Sequence, residues 1–337
     1  MKKLLGIVVL GLLVCNTGFS LESLTEEQEG KIKFKSIPVI TLKQFLNGET
    51  KGKLKTIQGT LNFPSNISTG RLPAVVILHG SGGVHSNEKN WAKRLNNIGL
   101  ATFIVDSNKR SGCPRCYEKH LGYPNIVDAY RALELLSTHP RIDPTRIAVM
   151  GSSVGGKASL YSSVKRFQKM WATPGLEFAA YVPFSPECNI IFNEDDVVSD
   201  RPIRVFHGAL DEWSSAKICG EYVERLRKAG KDVTITIYPD AHHGFESPMD
   251  PGEPTSVRGW FSVNCRFIEN TELGEIPQQV TEVGFDINKH KVFKHGGPYL
   301  LIDETCTTKK ASLKYNEEAA NQAIKAVTDF FISTFNQ

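Results

Sequence analysis

The stretch RIAVM-GSSVG, residues 146–155, decides how this chain is read. RIAVM reads as a short buried strand, and the VGGKASLYSSV beginning at Val154 can start a helix. Between them, Gly151-Ser152-Ser153-Val154-Gly155 puts a serine in the G-x-S-x-G frame. A turn that tight needs flanking positions without bulky side chains. It also leaves the Ser153 hydroxyl exposed above the sheet, where a nucleophile must stand. The five letters alone are a weak signal, because any Gly/Ser-rich strand-to-helix loop spells them. The rest of the chain has to supply a base, an acid and an oxyanion site in a workable order.

Outward from this point the chain alternates strand and helix patterns from Lys53 onward, which predicts a mostly parallel sheet with helices on both faces, a three-layer α/β sandwich. Residues 55–63 alternate like an exposed strand. Residues 74–78 (AVVIL) and 101–105 (ATFIV) are apolar runs fit for central strands. Trp91, Leu95 and Ile98 fall at near-helical spacing, and residues 125–137 carry Ile126, Tyr130 and Leu133 on one face. Further strands are expected at 178–183, 203–206 and 233–238, with a helix at 215–229 ended by Gly230. The last helix should start near Asn316, a good cap, and bury Ile324, Val327 and Phe331. Two stretches break the pattern. Residues 21–51 read as a polar leader with one short strand at 37–41, and residues 247–312 read as an insertion without enough apolar periodicity for its own core. The expected organisation is therefore one domain over 21–337, with leader and insertion attached.

Ester hydrolysis by serine needs a base for the hydroxyl proton, a carboxylate to orient that base, and N–H donors for the negative oxygen of the tetrahedral intermediate. Asp211 follows the strand at 203–206, and His243 follows the strand at 233–238. Ser153, Asp211 and His243 thus lie in the order nucleophile, acid, base, each just past a predicted parallel strand. Directly after AVVIL comes His79-Gly80-Ser81-Gly82-Gly83, whose glycines let the backbone turn and aim N–H groups at a substrate oxygen. The expected donors are the backbone N–H groups of Ser81 and Val154. A phosphate-cradling loop would also be glycine-rich, but the Walker lysine and the G-x-G-x-x-G spacing are missing.

Together, ILHGSGG, VDSNKRSG, DPTRIAVMGSSVGG, FHGALDEW and YPDAHHGF resemble the dienelactone hydrolase family of α/β-hydrolases, over about residues 55–246 plus the last helix. The resemblance implies the α/β-hydrolase fold, with Ser153 as nucleophile, Asp211 as acid and His243, rather than the adjacent His242, as base. It implies a small-molecule ester or lactone substrate and requires neither cofactor nor metal. Dienelactone hydrolase itself uses a cysteine where this chain has Ser153, a departure that favours a broader carboxylester activity. Ser152 is out of frame and is expected to pack or hydrogen-bond locally, and His79 and His207 to fix loops. Arg110, after Asp106, can hold a substrate carboxylate or simply pair with an acidic neighbour. Trp213, beside Glu212, can line the pocket mouth or only pack.

Composition is that of an ordinary globular protein: 337 residues, 40% hydrophobic and 23% charged. Residues 1–20 look like a signal peptide, with Lys2 and Lys3 before an apolar run at 4–14 that is too short to span a bilayer, and Gly18-Phe19-Ser20 for cleavage. Cys15 after Leu12-Leu13-Val14 faintly resembles a lipoprotein site, but valine just before the cysteine is unusual there. Export to the periplasm or medium is therefore expected. Cleavage would take the formal charge from +4 to +2, too little to attract nucleic acid or membrane. Six cysteines would remain, an even number that suggests disulfides. The working assignment pairs Cys113 with Cys116, Cys188 with Cys219, and Cys265 with Cys306. The Cys113-Pro114-Arg115-Cys116 spacing also fits a redox motif, but it lies in a Gly/Pro/Arg-rich loop rather than at a helix start, and no second paired set suggests zinc. Two rival readings stand beside the esterase: a serine peptidase of prolyl-oligopeptidase type, whose N-terminal propeller the short leader cannot build, and a binding protein that retains the fold without catalysis.

Overall fold

The computed structural model describes residues 23–39, 42–50, 52–65, 70–109, 122–248, 255–261, 263–270, 275–279, 291–293, 300–302 and 306–335. The segment read as a signal peptide, with Cys15, lies outside them, as do Arg110, Cys113 and Cys116.

The strands are β1 (Gly30–Ser36), β2 (Lys55–Asn62), β3 (Leu72–Leu78), β4 (Ala101–Asp106), β5 (Ile142–Ser152), β6 (Tyr181–Phe184), β7 (Ile190–Ile191), β8 (Ile203–Gly208) and β9 (Val233–Tyr238). Among the described residues an eight-stranded sheet runs in the order β1-β2-β4-β3-β5-β6-β8-β9. It is parallel from β4 to β9, and β2 is antiparallel to both its neighbours. Helices α1 (Leu42–Leu46), α2 (Ser86–Asn97), α3 (Tyr123–Ser137), α4 (Val154–Tyr161), α5 (Lys165–Trp171), α6 (Ala216–Lys228) and α7 (Glu317–Phe335) complete the layers.

The central strands are apolar on both faces because helices cover both. Ala74, Val76, Ile147 and Val149 join one buried cluster with α3, α5 and α6, while Val75, Ile77, Ala148 and Met150 join a second with α2 and α7. The cap expected at Asn316 appears, and Ser215 caps α6 as well. Ser215 Oγ accepts the Ile218 N–H at 3.4 Å, and Asn316 Oδ1 accepts the Ala319 N–H at 3.0 Å. Such caps satisfy N–H groups that a helix leaves without internal partners.

Three expectations need correction. The leader's described strand is β1 at Gly30–Ser36; of the expected 37–41, residues 37–39 are not in a strand and 40 and 41 lie outside the described residues. The alternation Ile32-Lys33-Phe34-Lys35-Ser36 turns Ile32, Phe34 and Ser36 inward, so period two outweighs the run Ile37 to Ile40. Residues 55–63 alternate as expected but are less exposed than an exposed strand would be. β2 lies inside the sheet, with Ile57, Gly59 and Leu61 on its buried face, and a Cβ on Gly59 would sit 2.2 Å from the Phe103 ring. The strand expected at 178–183 is bounded at Tyr181–Phe184, although the Ala179 N–H already donates to the Ile147 carbonyl at 2.7 Å and Phe178 is buried ahead of it.

In the insertion, β10 (Thr255–Phe261) pairs with β15 (Thr308–Leu313) as an antiparallel ribbon. β11 (Phe267–Asn270) lies between β12 (Glu275–Gln279) and β7, and β13 (Lys291–Phe293) pairs with β14 (Leu300–Ile302). Its buried Cys265, Phe267 and Cys306 join the main core cluster. Two disulfides hold these parts. Cys188–Cys219 ties the loop after β6 to α6, and Cys265–Cys306 closes the insertion. Disulfides persist in oxidising compartments, so the pair indicates a protein that matures outside the cytoplasm. Among the described residues no helix is long and apolar enough to cross a membrane.

The Cys188–Cys219 bridge closes a loop with a sequence separation of 31. Replacing both cysteines with alanine should lower unfolding free energy by about 3–4 kcal/mol on the loop-entropy relation. Urea denaturation of the double variant measures this, and an unchanged midpoint would contradict it.

Candidate active site

The loops that follow β3, β5, β6, β8 and β9 all leave the same C-terminal edge of the parallel strands, where α/β proteins place their sites. Ser153 stands between β5 and α4 with φ 56° and ψ −115°, a conformation that side chains rarely adopt. Close packing enforces it. A Cβ on Gly155 would lie 2.3 Å from the Leu78 carbonyl oxygen, and one on Gly156 would lie 2.2 Å from that of Phe184. The start of α4 therefore rests directly on the ends of β3 and β6. The Ser153 N–H donates to the Phe184 carbonyl at 2.9 Å.

Ser153, Asp211 and His243 meet at this edge. His243 Nδ1 lies 2.7 Å from Asp211 Oδ2, and its Nε2 lies 2.9 Å from Ser153 Oγ. With the carboxylate accepting from Nδ1–H, Nε2 is left free to accept the serine proton. Asp211 is buried and well supplied with donors: Oδ1 accepts the backbone N–H groups of Trp213 and Ser214, each at 2.9 Å. Burial alone would raise its pKa, but the neighbouring His243, with its hydrogen bond, and His207 hold it below the usual aspartate value. Burial likewise pushes His243 down. The Asp211 charge and hydrogen bond, helped by Glu246 and Glu187, overcome this and leave it above the ordinary histidine value.

The HGSGG loop turns beside the serine. A Cβ on Gly80 would sit 3.6 Å from that of Ser153, and the Gly83 N–H closes the turn on the Gly80 carbonyl at 3.1 Å. His79 Nε2 accepts the Ser107 N–H at 3.1 Å, and its Nδ1 donates to the Gly80 carbonyl at 2.6 Å. His79 thus fixes the loop that carries Ser81. Val154 opens α4, where the first backbone N–H groups have no helical acceptor. His207 is fully buried beside Asp211, and burial lowers its pKa although the Asp211 charge opposes this. Trp213 stacks on His243, with ring centroids 5.4 Å apart and planes 19° from parallel.

One residue escaped the sequence reading. Glu246 is buried three positions after His243, and Ser152 Oγ donates to its Oε1. This contact ties the serine turn to the histidine loop beside the Ser153–His243 bond. Burial raises the Glu246 pKa. The local hydrogen bond expected of Ser152 exists, but its partner is distant in sequence, and no local pattern announces such a pair. Lys157, one turn after Ser153, is buried and holds Glu187 at 2.5 Å.

These features define an α/β-hydrolase. The profile of the dienelactone hydrolase family matches residues 57–262, and the chain belongs to that family. It is thus one of a hydrolase family whose members act on small molecules. A probable 2-oxo-3-(5-oxofuran-2-ylidene)propanoate lactonase of Bradyrhizobium sp. is 24% identical over 193 residues, covering 53% of this chain and 75% of that protein. Bis(hydroxyethyl) terephthalate hydrolase of Streptomyces coelicolor is 30% identical over 132 residues, 38% of this chain and 37% of that one. A dienelactone hydrolase-like promiscuous phosphotriesterase from metagenomic libraries has the same fold. Its TM-score is 0.55 at 17% identity, over 91% of this chain and 99% of that one.

The strained turn carries its own test. Glycine ordinarily destabilises relative to alanine, but at positive φ it relieves strain of about 1–3 kcal/mol. Ser153→Gly should therefore be more stable than Ser153→Ala by about 1 kcal/mol. Thermal unfolding of the two variants measures the difference, and the reverse order would mean that the turn is unstrained.

Proposed function

We propose that this protein hydrolyses a carboxylic ester or lactone of a small molecule through an acyl-enzyme on Ser153. The observation that carries this reading is the unbroken chain of contacts Asp211–His243–Ser153, at 2.7 Å and 2.9 Å. In the mechanism, Ser153 Oγ attacks the carbonyl carbon while its proton passes to His243 Nε2. The charged Asp211 holds the imidazole in the required tautomer and stabilises the imidazolium. The backbone N–H groups of Ser81 and Val154 receive the oxyanion. Collapse breaks the ester bond, and the leaving alcohol takes the proton from Nε2. Water then attacks the acyl group, giving a proton to His243, and Ser153 is regenerated as the acid departs.

The lactonase and ester-hydrolase names of the two relatives agree in kind with this chemistry. Serine in place of the cysteine of dienelactone hydrolase favours an ester range wider than dienelactones. Arg110 and Trp213 were the side chains expected against substrate, and Trp213 stands at the histidine where it can meet a leaving group. The two disulfides support export, which residues 1–20 would direct as a cleaved signal.

Treatment of the mature protein with a fluorophosphonate probe and p-nitrophenyl esters, beside Ser153→Ala, tests the proposal. The parent should label, and the variant should lose label and at least about a thousandfold in kcat. Equal turnover by the variant would refute the assignment. The pH profile is a separate check. His243 accepts the proton only when neutral, so kcat/KM should fall as pH drops through a value above the 6.5 of an ordinary histidine. A limb well below that value would contradict the described surroundings of His243.

A further inference from the structure

The ribbon of β10 and β15 touches both loops that carry the acid and the base. From β10, Phe261 packs on Trp213 with centroids 4.6 Å apart. From β15, the Ser312 N–H donates to Glu212 Oε2 at 3.0 Å, and Leu313 bridges His243. Just beyond, the Lys314 N–H donates to the His243 carbonyl at 3.3 Å. Cys265–Cys306 fastens the ribbon just past its Phe261–Thr308 end. Trp213 is therefore held between an element outside the central sheet and the imidazole of His243.

The identity of that side chain is telling. The Trp213 indole Nε1 is buried without a hydrogen-bond partner among the described residues. An unpartnered buried donor is a cost that a phenyl ring in the same place would avoid. What an indole offers in return is the strongest aromatic face for a cation within about 6 Å. In the active form of the enzyme His243 is neutral, and it becomes a cation during reaction, when it takes the Ser153 proton. An interaction stronger with the imidazolium than with the imidazole lowers the barrier rather than merely stabilising the resting enzyme.

We propose that the ribbon is a working part of the active site: through Phe261 it holds the Trp213 indole on His243, where the indole face favours the imidazolium formed as Ser153 attacks. Trp213 is thus a positioning residue for the base, and the insertion clamps it in place. The proposal rests on the Ser153–His243–Asp211 reading. Other groups also act on the His243 charge. Asp211 faces it from the loop after β8, His207 from the end of β8, Glu187 from the loop after β6 and Glu246 from its own loop, while Ser153 supplies a neutral hydroxyl. β15 adds the apolar Leu313, and the Lys314 side chain is exposed. None of these is altered by changing Trp213.

The test is the pH dependence of p-nitrophenyl ester hydrolysis by Trp213→Leu, Trp213→Phe and Phe261→Leu, each normalised to active sites titrated with fluorophosphonate. Trp213→Leu should lose about three- to thirtyfold in kcat with a smaller change in KM, and its acidic limb should move to lower pH because the imidazolium has lost a partner. Trp213→Phe should restore part of both effects, and Phe261→Leu should shift the limb in the same direction. A loss of packing alone would reduce the titrated sites and leave the limb where it was. An unshifted limb in Trp213→Leu overturns the proposal. If that variant does not fold, an unshifted limb in Trp213→Phe does the same. A shift in the Trp213 variants without one in Phe261→Leu overturns the role of the ribbon. Ser153→Ala, run in parallel, separates the two levels: turnover retained there removes the underlying reading, whereas its loss beside an unshifted limb removes only this inference.

Discussion

The close approach of α4 to the ends of β3 and β6 is the constraint on which the rest depends. Where a Cβ would lie within 2.3 Å of a carbonyl oxygen, only glycine lets the helix start so near the sheet. That proximity forces the chain through Ser153 at positive φ and lifts its hydroxyl above the strand ends. Strain of this kind persists only where the surroundings over-determine it. Here the parallel strands, buried on both faces, provide the rigid support.

The geometry of the hydroxyl matters only if the base arrives at the same place. His243 is brought there by β9 and held from several sides. Asp211 fixes the ring through Nδ1, Trp213 lies against its face, and β15 fastens its backbone. Glu246, through Ser152, ties the histidine loop to the serine turn itself. Several modest contacts, from the loop after β8, from β15 and from the serine turn, therefore converge on one imidazole. They act on its position and also on its charge, since burial opposes the imidazolium while the neighbouring carboxylates favour it.

The core strands and the loops that carry Ser153, Asp211 and His243 at their ends were legible because each rests on local pattern. Short, mainly apolar runs marked β3, β4 and β5, and motif order alone pointed to Ser153, Asp211 and His243 at one edge. The first strand was misplaced by several residues because a short apolar run at 37–40 masked the period-two signal of Lys31 to Lys35. Glu246 was invisible for a different reason: its partner Ser152 is 94 positions away. The particular contacts of the insertion were hidden in the same way. Nothing in the spacing of Phe261 or Leu313 foretells contact with Trp213 or His243, which only the folded ribbon brings about.

The central claim is that Ser153 carries the acyl group during turnover. Mixing the protein with excess p-nitrophenyl acetate, quenching in acid within the first turnovers and mapping the product by peptide mass spectrometry tests it directly. One acetyl group should be found on the peptide that contains Ser153, at a level matching the initial burst of nitrophenol. Turnover with the acetyl group on another residue, or with no covalent adduct at any quench time, would contradict the account.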